Sequence, residues 1–371
     1  MVRESEQGAY LGAGPGLAVL AHPVRLTPNF DVFDGPGVRL VLGKCSRLPD
    51  DEDPQAGRYG IDFHRALPSF DGHGNGTCDW GEGAIPVNAL NYARYLSRTL
   101  KFREFTATLA FAARTPAEFQ AKAEVYGEFY RHLYHAPLSL IVAVPHSGDV
   151  RRPPDAWHPY PHTEIDAWTA RVALHLLRLS PRGHKRLLLS LHSTDYVGSL
   201  VDIGDFGLVQ NRHLNSIIPG LQHRYHEILK TLLPAYRHHI MPYTTARLQY
   251  FAQRWGTLDP EQLSRLSTAV RFEILSLTRV MASCQTTATP YTLDGLLQTL
   301  EKFWEKPPPL ITLNGLFSGR KTARLLNLAE NLHQAGIHTA VQVEVSRFLA
   351  REHPELAAAI IGDLLNDLMS S

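Results

Sequence analysis

Apolar residues in this chain fall into two patterns that alternate along its length. Short unbroken runs end abruptly in turn-forming or polar residues, and longer stretches place apolar residues every three to four positions. The first pattern reads as buried strands and the second as amphipathic helices. Residues 138–144 form one run and stop at Pro145-His146-Ser147-Gly148, so a strand there delivers a histidine to the lip of a sheet. Residues 186–191 repeat the arrangement and lead into His192-Ser193. A shorter run occupies 310–313, and Thr339-Ala340-Val341-Gln342-Val343-Glu344-Val345 places one acid inside an apolar, β-branched strand.

Helical spacing appears over 115–135, where Thr115-Pro116-Ala117-Glu118 supplies a cap, a first-turn proline and an acid. It recurs over 163–179 through Ile165, Trp168, Val172, Leu176 and Leu179. Residues 218–305 read as mostly helical, with one stripe through Leu221, Tyr225, Ile228, Leu229 and Leu232 and another through Leu263, Leu266, Val270 and Ile274. Pro307-Pro308-Pro309 closes that segment, and further helices are expected over 320–335 and, packed on the outside, over 355–369. The strand, helix, strand order between 138 and 192 favours a parallel pair.

The expected fold is therefore α/β: a mixed, largely parallel central sheet flanked by helices. Residues 138–350 form its main domain, with 218–305 as a helical insertion and 351–371 as a C-terminal helix. Residues 1–137 are an N-terminal, β-rich extension, either part of the same globule or a small lobe. The glycine-dense stretch 70–77 lacks a following Gly-Lys-Ser/Thr and reads as a loop rather than a phosphate cradle.

Charge narrows the partners. With 37 basic and 36 acidic residues the net charge is +1, so nothing attracts the chain to nucleic acid or to an anionic membrane. No apolar run reaches membrane-spanning length. Cys45, Cys78 and Cys284 are far apart and odd in number, which points to a reducing compartment. With no signal-peptide layout at residues 1–7, the expected location is cytoplasmic.

The strand-end residues carry the chemistry. A catalytic zinc takes three protein ligands and leaves one position for water, and a carboxylate that is not a ligand moves the proton. His146 and His192 offer two nitrogens, and Glu344 fits the proton shuttle, since an acid buried in an apolar strand is costly unless it is partnered. The third ligand stays open among Asp149, Glu164 and Asp166. A serine hydrolase reading of His192-Ser193-Thr194-Asp195 is weaker, because a triad is assembled from distant segments and no Gly-x-Ser-x-Gly elbow is present.

Four short elements then occur in a telling order. Pro145-His146-Ser147-Gly148, Ser190-Leu191-His192-Ser193, Asn314-Gly315-Leu316-Phe317-Ser318-Gly319 with Arg324, and Gln342-Val343-Glu344 together resemble the N-formylglutamate amidohydrolase family. The resemblance implies a fold like that of zinc carboxypeptidases, with zinc as the cofactor and His146 and His192 as ligands. Glu164 or Asp166 would stand in for the family's acidic ligand, with Asp149 the candidate offered by spacing alone. It also implies Glu344 as general base and acid, and Arg324, Asn314 and Ser193 in substrate binding. Arg320 stands where the family has a second glycine and becomes a further cation for catalysis. Ser190 replaces the family's aspartate, and the N-terminal segment and 218–305 have no counterpart, so a relative with an altered substrate is expected. The expected activity is hydrolysis of the amide bond of an N-acyl, including N-formyl, amino acid or a small peptide-like molecule carrying a carboxylate. The alternative is a non-catalytic binding or scaffold protein that keeps the fold.

Overall fold

The structure, a computed structural model, describes residues 22–27, 30–43, 116–145, 167–181, 185–194, 197–255, 293–305, 307, 309–320, 323 and 328–370. Its eight described strands are β1 (His22–Leu26), β2 (Phe30–Asp34), β3 (Val38–Gly43), β4 (Leu140–Val144), β5 (Leu187–Thr194), β6 (Val201–Gly204), β7 (Ile311–Leu313) and β8 (Thr339–Ser346). They form one sheet in the order β1-β2-β3-β4-β5-β8-β6-β7. Strands β3, β4, β5 and β8 run parallel, whereas β6 and β7 are parallel to each other and β6 is antiparallel to β8. The described helices are α1 (Pro116–Tyr134), α2 (Ala167–Leu176), α3 (Leu214–Thr231), α4 (Leu233–Trp255), α5 (Leu293–Glu305), α6 (Leu328–Gln334), α7 (Arg347–Glu352) and α8 (Pro354–Ser370). The mixed α/β class expected from the alternation of patterns is what the chain adopts.

Register explains why the runs are so apolar. Leu40, Val142, Leu189 and Val341 lie side by side across β3, β4, β5 and β8, and Leu191, Val343 and Ile203 form another row. Successive side chains point to opposite faces, so these residues share one face, and all of them are buried in the main hydrophobic core. Helices α2, α3, α7 and α8 contribute the other half of that core. A parallel strand with both faces covered reads as a continuous hydrophobic run, which is how β4 was legible. At the β1–β3 end the opposite face is covered by α1, whose Phe129 meets Phe30 edge-on with ring centroids 5.8 Å apart.

Three features add to the expectation. The strands at 22–43 extend the main sheet, because β3 pairs directly with β4. Strand β6 was not foreseen: four residues ending in glycine are too short for a period to declare itself. The helices at 214–305 connect β6 to its parallel neighbour β7, so in the described part they form a long crossover connection. The stripe at 263–274 and the cysteines lie outside the described residues.

Helix α8 packs one side firmly into the core. Ala357, Ile360, Ile361, Leu364, Leu365, Leu368 and Met369 are all buried, and Gly362 passes so close to Leu179 that an added Cβ would lie 3.2 Å from its Cδ2. Its polar side is held to α3, where Asp363 accepts hydrogen bonds from Arg224 and from the Tyr225 hydroxyl. Among the described residues no helix is long and apolar enough to cross a membrane.

Truncating Ile361, which is fully buried, to alanine should lower stability by about 2–5 kcal/mol. Urea denaturation would show it as a lower midpoint with an unchanged slope.

Candidate functional site

The face of the sheet opposite the apolar rows is polar at its centre. His192 on β5 is the direct register partner of Glu344 on β8, and Glu344 is in turn the partner of Asp202 on β6. Asp202 sits opposite Thr312 on β7. One row of partners thus carries an imidazole, two carboxyl groups and a hydroxyl on the same side of four neighbouring strands. His192 is 2% exposed, Glu344 6% and Asp202 1%. Polar groups buried this deeply are destabilising unless each finds a partner, and the structure supplies them.

The next row towards the start of β5 and β8 does part of that work. Ser190 and Gln342 are register partners. The Ser190 hydroxyl lies 2.9 Å from His192 Nε2, and Gln342 Nε2 donates to Glu344 Oε1 at 2.8 Å. Each chemistry-bearing residue is therefore held by the residue two positions earlier on its own strand.

Asp202 serves a different purpose. One of its oxygens accepts from the Thr312 hydroxyl at 2.6 Å and the Gly315 N–H at 2.8 Å. The other accepts from the N–H groups of Leu316 and Phe317 at 2.7 and 2.9 Å. Burial pushes the Asp202 carboxyl above the usual carboxylate range, against the opposing pull of these four hydrogen bonds. The loop it gathers, 314–319, folds back over β6. An added Cβ on Gly204 would lie 2.5 Å from Phe317 O, so only a glycine lets the loop backbone lie on the strand there. Gly319, at φ 68°, makes a similar approach to Phe206 and Gln342.

The loop is clasped at its far end. Arg320 donates from Nε and Nη2 to the two oxygens of Asp205, at 3.2 and 3.0 Å. Burial alone would push the Asp205 carboxyl up, but hydrogen bonds from Arg320, the Gly207 N–H and Asn314, with the Arg320 charge, outweigh it and hold the group below its ordinary value. Asp205 follows Gly204, whose partner is Gln342. The clasp therefore sits towards the start of β8, whereas Glu344 lies near its end.

Of the residues singled out in the sequence, the structure brings His192 and Glu344 together. Asn314 is spent on the loop: at φ 56° its N–H donates to Ile203 O and its Oδ1 accepts from the Asp205 N–H. Ser193 pairs in register with Val345 and so falls on the apolar face, away from Glu344. Arg320 is exposed and engaged with Asp205. His146, Asp149, Glu164, Asp166 and Arg324 lie outside the described residues. Strand β4 nevertheless runs in register with β5, with Ala143 beside Ser190, and ends at Val144, two residues before His146 in sequence. Asp202 was missed, although Val201-Asp202-Ile203 shows the same flanked acid that marked Val343-Glu344-Val345. Gln342 and Ser190 were read only as motif letters.

Among the described residues no three His, Cys, Asp or Glu side chains are grouped to hold a metal ion. His192 is the described nitrogen donor of the row, and its Nε2 lies beside the Ser190 hydroxyl. A histidine fixed through one nitrogen is how metal-ligating imidazoles are held, so this part of the donor set suits a zinc ion. The fold and row define a mixed α/β protein with a buried His–Glu pair at the carboxyl ends of parallel strands. No protein-family model, curated protein or solved structure matches the chain.

The Asp205 clasp has a pH signature. A carboxyl that titrates below its unfolded value stabilises the fold fully at neutral pH, and the benefit fades as pH falls through the folded value. Asp205→Asn should lower the Tm at neutral pH, and the gap to wild type should close in acid. Thermal melts taken in steps down to about pH 3 would follow it.

Proposed function

We propose that this chain is a zinc-dependent hydrolase that cleaves the amide bond of an N-acyl, including N-formyl, amino acid or a small peptide-like molecule. The observation that carries the reading is the direct register of His192 with Glu344 on the buried polar face. Ligands in open α/β sheets bind at the carboxyl ends of the strands, and both residues lie within three positions of those ends. The four-element resemblance to the N-formylglutamate amidohydrolases, and through them to the zinc carboxypeptidase fold, supports the same reading.

In this reading His146 and His192 hold the metal, with Asp149 or Glu164 as the acidic ligand. Zinc, when bound, polarises the scissile carbonyl and makes water acidic enough to attack near neutral pH. Glu344 takes a proton from the attacking water as the new C–O bond forms and gives it to the leaving amine as the C–N bond then breaks. Ser190 keeps the His192 ring from turning. The Arg320 fork is closed on Asp205, so the substrate carboxylate falls to Arg324, for which a planar bidentate cation is suited.

Elemental analysis of protein purified without a metal-affinity tag tests the reading. Near-stoichiometric zinc is expected in the wild type and none in the double variant His146→Ala, His192→Ala. Glu344→Gln should keep the zinc and lose at least about a hundredfold in hydrolysis of an N-acyl amino acid panel. A wild type that holds no zinc, and takes up none when it is added, overturns the proposal and leaves a binding protein as the better description. Ser190→Ala should weaken zinc affinity by about ten- to a hundredfold, read by competition with a chelator.

A further inference from the structure

We infer that Gln342 is a positioning residue for Glu344, and that the loop 314–319 sets the catalytic carboxylate through it; the inference rests on the hydrolase reading above. Gln342 is 3% exposed and lies on the same face of β8 as Glu344, two residues earlier. Its Nε2 donates to Glu344 Oε1 at 2.8 Å. An amide N–H can only donate, so the oxygen it holds must present a lone pair and cannot carry a proton along that line. The bond thereby holds that oxygen as an acceptor and restrains the carboxyl plane about its last torsion.

Gln342 is itself held from three sides. Ser190 flanks it on β5 and Gly204 on β6. Over it passes Gly319, where an added Cβ would lie 2.8 Å from Gln342 Oε1, a separation that real Cβ atoms essentially never show. The Gly319 backbone thus lies close against the Gln342 amide oxygen. The loop that closes this space is rigidly tied. Asp202 receives three of its N–H groups, Ser318 O accepts from the Phe206 N–H at 2.9 Å, and Arg320 clasps Asp205. A continuous line of contacts thus runs from Asp202 through Gly319 and Gln342 to Glu344. Asp202 is the direct neighbour of Glu344 in register, yet it acts on the loop rather than on the reaction.

The test uses the full-length, zinc-loaded protein with Gln342→Met, which keeps the length of the side chain and removes the donor, and with Gly319→Ala, which crowds the Phe206 ring and the Gln342 amide. Steady-state kinetics on N-formyl and N-acetyl amino acids, zinc content and far-UV circular dichroism are measured for each. In Gln342→Met we expect kcat to fall about ten- to a hundredfold, as for a misaligned general base, with KM within about twofold of wild type and zinc stoichiometry unchanged. Gly319→Ala should fall in the same parameter although it touches no reacting group; should it fail to fold, Gln342→Met decides alone. An unchanged kcat in folded Gln342→Met beside an active wild type overturns this inference and leaves the hydrolase reading standing, as does a loss confined to KM. A zinc-loaded wild type that hydrolyses none of the panel overturns both.

Discussion

Parallel pairing of β5 with β8 puts Leu189 level with Val341, Leu191 with Val343 and His192 with Glu344. The apolar pairs face the helical core and the polar pair faces the other way. A slip of one residue in either strand would turn its whole set over, driving Glu344 or His192 into the hydrocarbon packing and exposing valines or leucines in exchange. Burying an unpartnered carboxylate there would be destabilising by several kcal/mol or would neutralise the group. Packing on one face therefore enforces the register, and the register sets His192 and Glu344 side by side. Stability and the candidate chemistry are consequences of the same alternation.

Around that pair the polar face is organised in layers. Ser190 and Gln342 hold His192 and Glu344 from within their own strands. Asp202, on a strand that runs the opposite way, holds a loop as well as the Thr312 hydroxyl. The antiparallel insertion of β6 between β8 and β7 is what makes this possible, because it brings the loop that follows β7 back over the sheet. Glycines at 204, 315 and 319 stand where any Cβ would collide with that loop, with Asp202 and Thr312, or with Gln342. The Asn-x-x-Phe-x-Gly pattern thus has a mechanical meaning. Its asparagine and glycines shape a backbone that lies flat against a strand, and none of them need meet a substrate.

Arg320 illustrates how a residue's chemistry depends on its neighbours. As a cation in the place of a motif glycine it invited a role towards an anionic substrate or a developing oxyanion. The fold instead closes its fork on Asp205, one residue beyond β6 and towards the start of β8. A guanidinium satisfied bidentately by a carboxylate is a fastener for whatever carries the two groups, and here these are the loop and the end of β6.

The sequence by itself determined the element types, because the period of burial is written locally. Two-residue alternation or an unbroken β-branched run makes a strand, and apolar residues every three to four positions make a helix. The bounds of α1, β4 and β8 were legible within a residue or two for that reason. Glu344 was legible too, since a lone acid in an apolar strand must be accounted for. The partners were not legible. Strands β5 and β8 are separated by most of the C-terminal half of the chain, and nothing within either one states that the other lies beside it. Only the tertiary fold decided that His192 faces Glu344, that Ser193 turns away, that Asp202 gathers a loop and that Arg320 is engaged. Pairing across a sheet is a non-local choice, made by the whole hydrophobic face at once.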